Sequence, residues 1–186
     1  MVNKNHSNPG LEHWTTVKNI LKYLRRTKDY MVMYGGDKLI PVGYTDSDFM
    51  SYKDMRKSTS GYVFTLGGGA VSWRIIKQKY IADSTTESQY VAACEAAKEA
   101  VWLKKFLMEL GVVPASLSPI ILYCDNSRAV AQSKEPRNHR KVKHIQRKHH
   151  LIRDIVQRGD VTVTKIATTD NLGDPFTKAI DRKSVV

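Results

Sequence analysis

The sequence predicts an α/β domain, a mixed five-stranded sheet flanked by helices. Three observations predict it. The first half of the chain carries β-rich runs, two of them joined by a glycine turn, as an antiparallel opening requires. Strands then alternate with helical segments, the pattern of strands joined by helical crossovers. At 186 residues and 41% hydrophobic content, the chain is long enough to bury a core of ordinary size as one domain.

The elements follow in order. "NPGLEHWTTVKNILKYLRRTKDY" opens at Asn8-Pro9-Gly10 and sets apolar residues at Trp14, Val17, Ile20, Leu21 and Leu24. Spacings of three and four predict an amphipathic helix ending near Arg26. "YMVMYGG" reads as a strand closed by a glycine pair, and "KLIPVGYTDSDF" as a second extended run broken by Pro41. "SGYVFTLGGGAVSWRIIKQKYIA" predicts a hairpin turning at Gly67-Gly68-Gly69. From Ser84 to Leu110 the chain is rich in Ala, Glu, Lys and Leu, which predicts one long helix ended by Gly111 and Pro114. "SPIILYC" is the next strand and "NSRAVAQSK" a short helix. A basic block precedes Gly159, "DVTVTKIA" alternates as a strand, and "DNLGDPFTKAI" ends in a short helix. There is no internal repeat and no low-complexity linker.

Thirty Lys and Arg against eighteen Asp and Glu give a net charge of +12. Such a balance points to a polyanionic partner, nucleic acid first, with an anionic membrane surface as the alternative. No apolar run is long enough to cross a bilayer, and "MVNKNHSNPG" lacks the apolar core of a signal peptide. Cys94 and Cys124 sit among apolar residues and read as small core residues rather than a disulfide framework. A soluble protein of a reducing compartment is expected.

Four acids stand at element junctions. Asp46 lies where the first sheet strand is expected to end, and Glu87 in the first turn of the long helix. Asp125 closes the fourth strand, and Asp174 follows the fifth. Each has a plain alternative. Ser84-Thr85-Thr86-Glu87 is a capping box. Asp125 is itself a good N-cap. Asn171-Leu172-Gly173-Asp174 repeats the cap pattern, and Asp46 could be a solvated acid. Together they favour a shared site, because adjacent strand ends bring Asp46 and Asp125 close and a helix across the sheet can add Glu87. Converging carboxylates need a cation, and oxygen-only ligands suit Mg²⁺ or Mn²⁺. Two such ions roughly 3.5–4 Å apart support phosphoryl transfer. A basic surface around an acidic centre is what a nuclease requires.

"GYTDSDF", "STTESQYVAA", "LYCDNSRAV", "KHIQRKHHLIRDIV" and "DNLGDPFTKA" together resemble the ribonuclease H domain of copia-type (Ty1/copia) LTR retrotransposon Pol polyproteins, plant ones especially. The resemblance runs in one order over nearly all of the chain. It implies a ribonuclease H-like fold with strand order 3-2-1-4-5, helices on both faces and an extra N-terminal helix. It implies an endonuclease that hydrolyses the RNA strand of RNA–DNA hybrids during reverse transcription with two Mg²⁺ ions, which Mn²⁺ can replace. By motif position the catalytic and metal-binding set falls on Asp46, Glu87, Asp125 and Asp174, with Asp48 as a neighbour on the same strand face. Three positions depart from the family: Gly173 stands where Ala is usual, and Gln146 and His149 where an acid and a tyrosine are usual.

The domain boundaries expected on this basis are 1–38 for the N-terminal helix and tether from the reverse transcriptase side, 39–180 for the ribonuclease H domain and 181–186 for a tail. The expected partners are an RNA–DNA hybrid and the reverse transcriptase domain of the same polyprotein, with no membrane and a monomer in isolation. The expected location is a cytoplasmic retrotransposon particle, with the nucleus as a second compartment.

Residues 134–158 concentrate Lys, Arg and four of the six histidines. Arg140, Lys143, Arg147 and Lys148 are expected to track phosphates, and His144 or His150 to assist product release. A solvated helix is the alternative. A zinc site is disfavoured because no cysteine lies nearby. Thr45, Ser47, Asn126 and Ser127 are small polar residues beside the acids, suited to reading 2′-hydroxyls or to plain turn and cap chemistry. Three other functions remain to be weighed. One is a decayed or co-opted domain of the same fold that binds nucleic acid or protein without cutting. An integrase-type Asp, Asp, Glu site is disfavoured because Asp160, at a strand start, stands where its Glu would fall. A purely structural polyanion-binding module leaves the four junction acids unexplained.

Overall fold

The computed structural model describes residues 10–35, 39–52, 55–114, 119–135 and 151–178. The chain divides into two units, Met1–Met33 and Tyr34–Val186. In the first, helix α1 spans Leu11–Arg26 behind Gly10, and none of its residues is buried. Its apolar stripe, Trp14, Ile20, Leu21 and Leu24, is exposed.

The second unit is built on one sheet. Strands β1 (Val42–Tyr52), β2 (Lys57–Leu66), β3 (Gly69–Lys77), β4 (Ile120–Cys124) and β5 (Val161–Lys165) lie in the order β3-β2-β1-β4-β5. That is the order the family resemblance implies. β1 is antiparallel to β2 and parallel to β4, and β4 is parallel to β5. The β2–β3 hairpin turns on Gly67 and Gly68, with φ of 54° and 84°. Two consecutive left-handed residues suit the twist of a two-residue hairpin, and glycine reaches them without a Cβ clash.

Helix α2 (Thr85–Glu109) buries Ala93, Ala96, Ala97, Ala100, Leu103 and Leu107 against the sheet. Small side chains at these spacings let the long helix lie close to Phe64, Leu122 and Cys124 in one core. Close packing also explains Gly43. A Cβ there would meet Phe64 Cε1 at 2.4 Å and Leu122 Cδ1 at 2.9 Å. Burying a side chain such as Leu122, which is fully inaccessible, contributes about 1.5–3 kcal/mol. Helix α3 spans Ser127–Lys134, residues 151–157 are helical (α4), and α5 is the single turn Asp174–Thr177. Ile152 and Ile155 of α4 complete the core beside Val161 and Val163. Both cysteines are free and buried, as expected of small core residues.

The strand expected from "YMVMYGG" is not there, because residues 31–35 pair with nothing as a ladder. β-rich composition makes a strand only when a neighbour supplies the hydrogen bonds. Here Tyr34 Oη donates to Ala70 O at 2.9 Å and Gly35 N to Gly67 O at 3.2 Å, which ties Tyr34 and Gly35 to the hairpin without a ladder. Among the described residues no helix is long and apolar enough to cross a membrane.

Candidate active site

The site begins with register. β1 and β4 pair in parallel up to Thr45 opposite Cys124. The next residue on each chain is an acid, Asp46 and Asp125. β1 does not end there, as the sequence had led us to expect. It continues to Tyr52 against β2, and only its pairing with β4 stops. The crevice beyond the carboxyl end of parallel strands is where α/β sheets place ligands.

Asp46 is 2% exposed. Gln89 Nε2, on the first turns of α2, donates to its Oδ1 at 2.7 Å, and Thr177 Oγ1, on α5, donates to its Oδ2. α2 is itself tied to the sheet by Gln78, whose Nε2 donates to Ser60 Oγ at 2.8 Å and Ser88 O at 2.9 Å. A buried carboxylate with both oxygens bonded is fixed in orientation.

Asp125 is half-buried and accepts from Thr168 Oγ1 at 3.0 Å. It does not cap α3. Asn126 does, accepting from Ala129 N at 2.9 Å. The capping alternative for Asp125 is thereby removed, since an adjacent residue holds the role.

Asp174 is the first residue of α5, behind Gly173. Gly173 is the cap position and not a helix interior, so the usual penalty for a glycine inside a helix does not apply. A Cβ on it would lie 3.1 Å from Asp46 N and from Thr45 C, which shows how tightly this turn rests on β1. Asn171, 3% exposed, pins the turn: its Nδ2 donates to Thr45 O at 3.1 Å and its Oδ1 accepts from Gly173 N at 3.0 Å.

Lys178 Nζ donates to Asp174 Oδ1. That hydrogen bond raises the Lys178 pKa, burial opposes it, and the charges of Asp174, Asp46 and Asp125 add to it. The Asp48 carboxyl is also raised, by burial first and then by the Asp46 charge, with Asp174 adding and Lys178 opposing. Asp46, Asp48, Asp125, Asp174 and Lys178 therefore share one electrostatic neighbourhood.

Glu87 stands apart from this group. Ser84 Oγ accepts from Glu87 N at 3.2 Å, and Glu87 Oε2 accepts from Asp83 N at 2.6 Å. The carboxylate acts as a cap for the start of α2, although Gln89, two residues on, grips Asp46.

For a divalent cation the donor chemistry fits: hard carboxylate oxygens, with an ammonium already standing among them. Among the described residues, however, no three Asp, Glu, His or Cys side chains converge closely enough to hold an ion.

Thr45 is fully buried and donates to Gly61 O at 3.2 Å, and Ser47 is buried beneath Gln78. Neither hydroxyl is presented to a ligand, so the 2′-hydroxyl reading fails at those two positions. Asn126 is half-buried at the start of α3 and Ser127 is exposed. Arg140, Lys143, His144, Arg147, Lys148 and His150 lie outside the described residues, as do Gln146 and His149. Sequence reasoning passed over Gln89, Thr177 and Lys178, and read Asn171 only as a helix cap, a position that Gly173 holds instead. Their only signal was membership of the quoted motifs "STTESQYVAA" and "DNLGDPFTKA".

No protein-family model matches the chain. It is similar to the retrovirus-related Pol polyprotein of transposon TNT 1-94 from Nicotiana tabacum, at 45% identity over 175 residues. The same is true of the Pol polyprotein of transposon RE2 from Arabidopsis thaliana, at 35%. Each match covers 94% of this chain but only 13% and 12% of the relative, so the chain spans a small part of their length. Among solved structures it is similar to LC11-RNase H1 in complex with RNA/DNA hybrid, with a TM-score of 0.54 at 14% identity, covering 78% of this chain and 99% of that one. At that identity the likeness establishes the fold.

Proposed function

We propose that this chain, which belongs to the ribonuclease H domains of plant copia-type retrotransposon Pol polyproteins, hydrolyses the RNA strand of RNA–DNA hybrids. One observation carries the reading. Asp46 and Asp125 are the residues that follow where the β1–β4 pairing stops, and the turn that carries Asp174 rests against β1 beside Asp46. The solved relative's hybrid complex supports the choice of substrate.

Asp46, Asp125 and Asp174 would hold the divalent ions, with Glu87 joining by leaving the Asp83 amide. When bound, such ions supply charge neutralisation and an activated water. The chain's own residues do the rest. Gln89 and Thr177 hold Asp46 in one orientation, so the site needs little reorganisation there. Asp125 and Asp174, less deeply buried, are free to adjust. Asn126 and Ser127 line the rim, where a sugar would pass. Arg140, Lys143, Arg147 and Lys148 would neutralise backbone phosphates, and His144 or His150 would help product leave.

The test is cleavage of labelled hybrid in Mg²⁺ or Mn²⁺. The expected products carry 3′-hydroxyl and 5′-phosphate ends, and EDTA abolishes them. Equal cutting of duplex DNA, or cutting that survives chelation, refutes the reading. A second reading, a domain that grips hybrid without cutting, draws on the capped Glu87 and on the lack of three converging ligands among the described residues. It predicts hybrid binding with no product at any divalent ion concentration.

A further inference from the structure

We propose that the sheet face turned away from α2 is a stacking surface for single-stranded nucleic acid, built on Trp73, Tyr44 and Tyr123. Binding there is independent of cleavage. What an unpaired strand would be doing beside the acids rests on the ribonuclease reading.

Register puts the three rings in one row. Tyr44 lies opposite Tyr123 on β4 and opposite Val63 on β2, and Val63 lies opposite Trp73 on β3. Residues opposite one another in a ladder point to the same side of the sheet. Their chain neighbours Tyr62, Phe64, Leu122 and Cys124 point to the other side, where α2, α3 and α4 close the core. The aromatic row is therefore on the outer side. Asp46 and Asp125 follow on that side, two residues or ~7 Å further along β1 and β4. α5 sits over the acid row, since a Cβ on Gly61, opposite Asp46, would meet Phe176 Cβ and Thr177 Cγ2 at 2.9 Å.

Trp73 is 61% exposed in the middle of its strand, with Ile75 beside it at 60%. Tyr44 and Tyr123 are half-buried, their ring centroids 5.3 Å apart. Charge selects the occupant. Strands β2 to β5 carry Lys57, Arg74, Lys77 and Lys165 and no acid, in a chain of net charge +12. A purely apolar partner has no use for those cations. A polynucleotide offers bases to the rings and phosphates to the cations. Bases of a duplex are already stacked on one another, so the surface suits an unpaired strand. DNA left unpaired beside a cleaved hybrid is such a strand.

The probe is an oligo(dT) or oligo(U) strand of about 15 nucleotides, titrated in EDTA so that no cutting intervenes. Trp14→Phe with Trp102→Phe leaves Trp73 as the sole tryptophan. Its emission is expected to be quenched as either strand binds. Leucine keeps the apolar bulk of a ring and removes its stacking face. Trp73→Leu and Tyr123→Leu should each weaken binding about tenfold, the scale of one lost base stack, while Trp73→Phe stays near wild type. Unquenched Trp73, or equal affinity in the leucine variants, overturns the proposal. So does self-association that shields Trp73 from the strand, because the face is then an interface between copies. Should Tyr123→Leu fail to fold, Trp73→Leu, at an exposed side chain, decides alone. Cleavage of fully paired hybrid keeps the two ideas apart. Strand binding through Trp73 in a chain that cuts no hybrid supports the surface and sinks the nuclease. Cleavage without strand binding does the reverse.

Discussion

Replacing Asp125 by Asn separates chemistry from architecture at this site. Among the described residues, Asp125 accepts a hydrogen bond from Thr168 Oγ1 at 3.0 Å, and an amide oxygen can accept it equally well. Exchanging an ionised acceptor for a neutral one forfeits about 1 kcal/mol. Against this stands relief of repulsion with Asp46. Carboxylates on adjacent strands, ~4.8 Å apart, repel by about 1–3 kcal/mol at effective dielectric constants between that of water and ~20. The two terms oppose each other. The melting temperature should move by no more than ~4 °C in either direction for a domain of this size. α3 is undisturbed because Asn126 is its cap. Cleavage should fall at least ~100-fold, since even indirect partners of metal ligands cost 10–100-fold when removed. The assays are differential scanning fluorimetry in EDTA and initial rates on labelled hybrid. A variant that cuts at the wild-type rate would show that Asp125 has no part in the chemistry. A loss of ~10 °C would show that the balance worked out above is wrong.

Two further outcomes are expected. Burial pushes the Cys124 thiol up from 9.0 to about 11. A raised acid pKa means stability that is complete below pH 9 and lost as pH rises to about 11, about 2–3 kcal/mol in all. Urea unfolding from pH 8 to 10.5 should fall more steeply for wild type than for Cys124→Ala, and parallel curves would contradict the burial argument. Asn171→Ala leaves Thr45 O and Gly173 N without their partner, which should cost about 2–4 kcal/mol and lower cleavage as well. An unchanged denaturation midpoint would mean that α5 is held by other contacts.

How much of this was legible depended on the range of the signal. The long helix from Ser84, the Gly67-Gly68 hairpin and the alternating β5 are written in local composition and spacing, and each is found where expected. The YMVMY run carries the same kind of signal and is no strand, because pairing is a property of neighbours. Asp125 and Asn126 are equally good caps by type, and only the backbone decided between them. Glu87 was readable as either ligand or cap, and its contact with Asp83 N realises the local option. The supports of Asp46 were beyond reach: Gln89 and Thr177 are 43 and 131 residues away along the chain.

That last separation sets an order of events. A contact closing 131 residues carries a large loop entropy, and nothing local repays it until the sheet exists. During synthesis β1 emerges early, but Asp46 cannot receive its second hydrogen bond, nor Asn171 reach Thr45, until the α5 turn has left the ribosome. The cluster is thus a timer as well as a site. A chain halted before Asn171 can build most of its core and still lack the part that would act on nucleic acid.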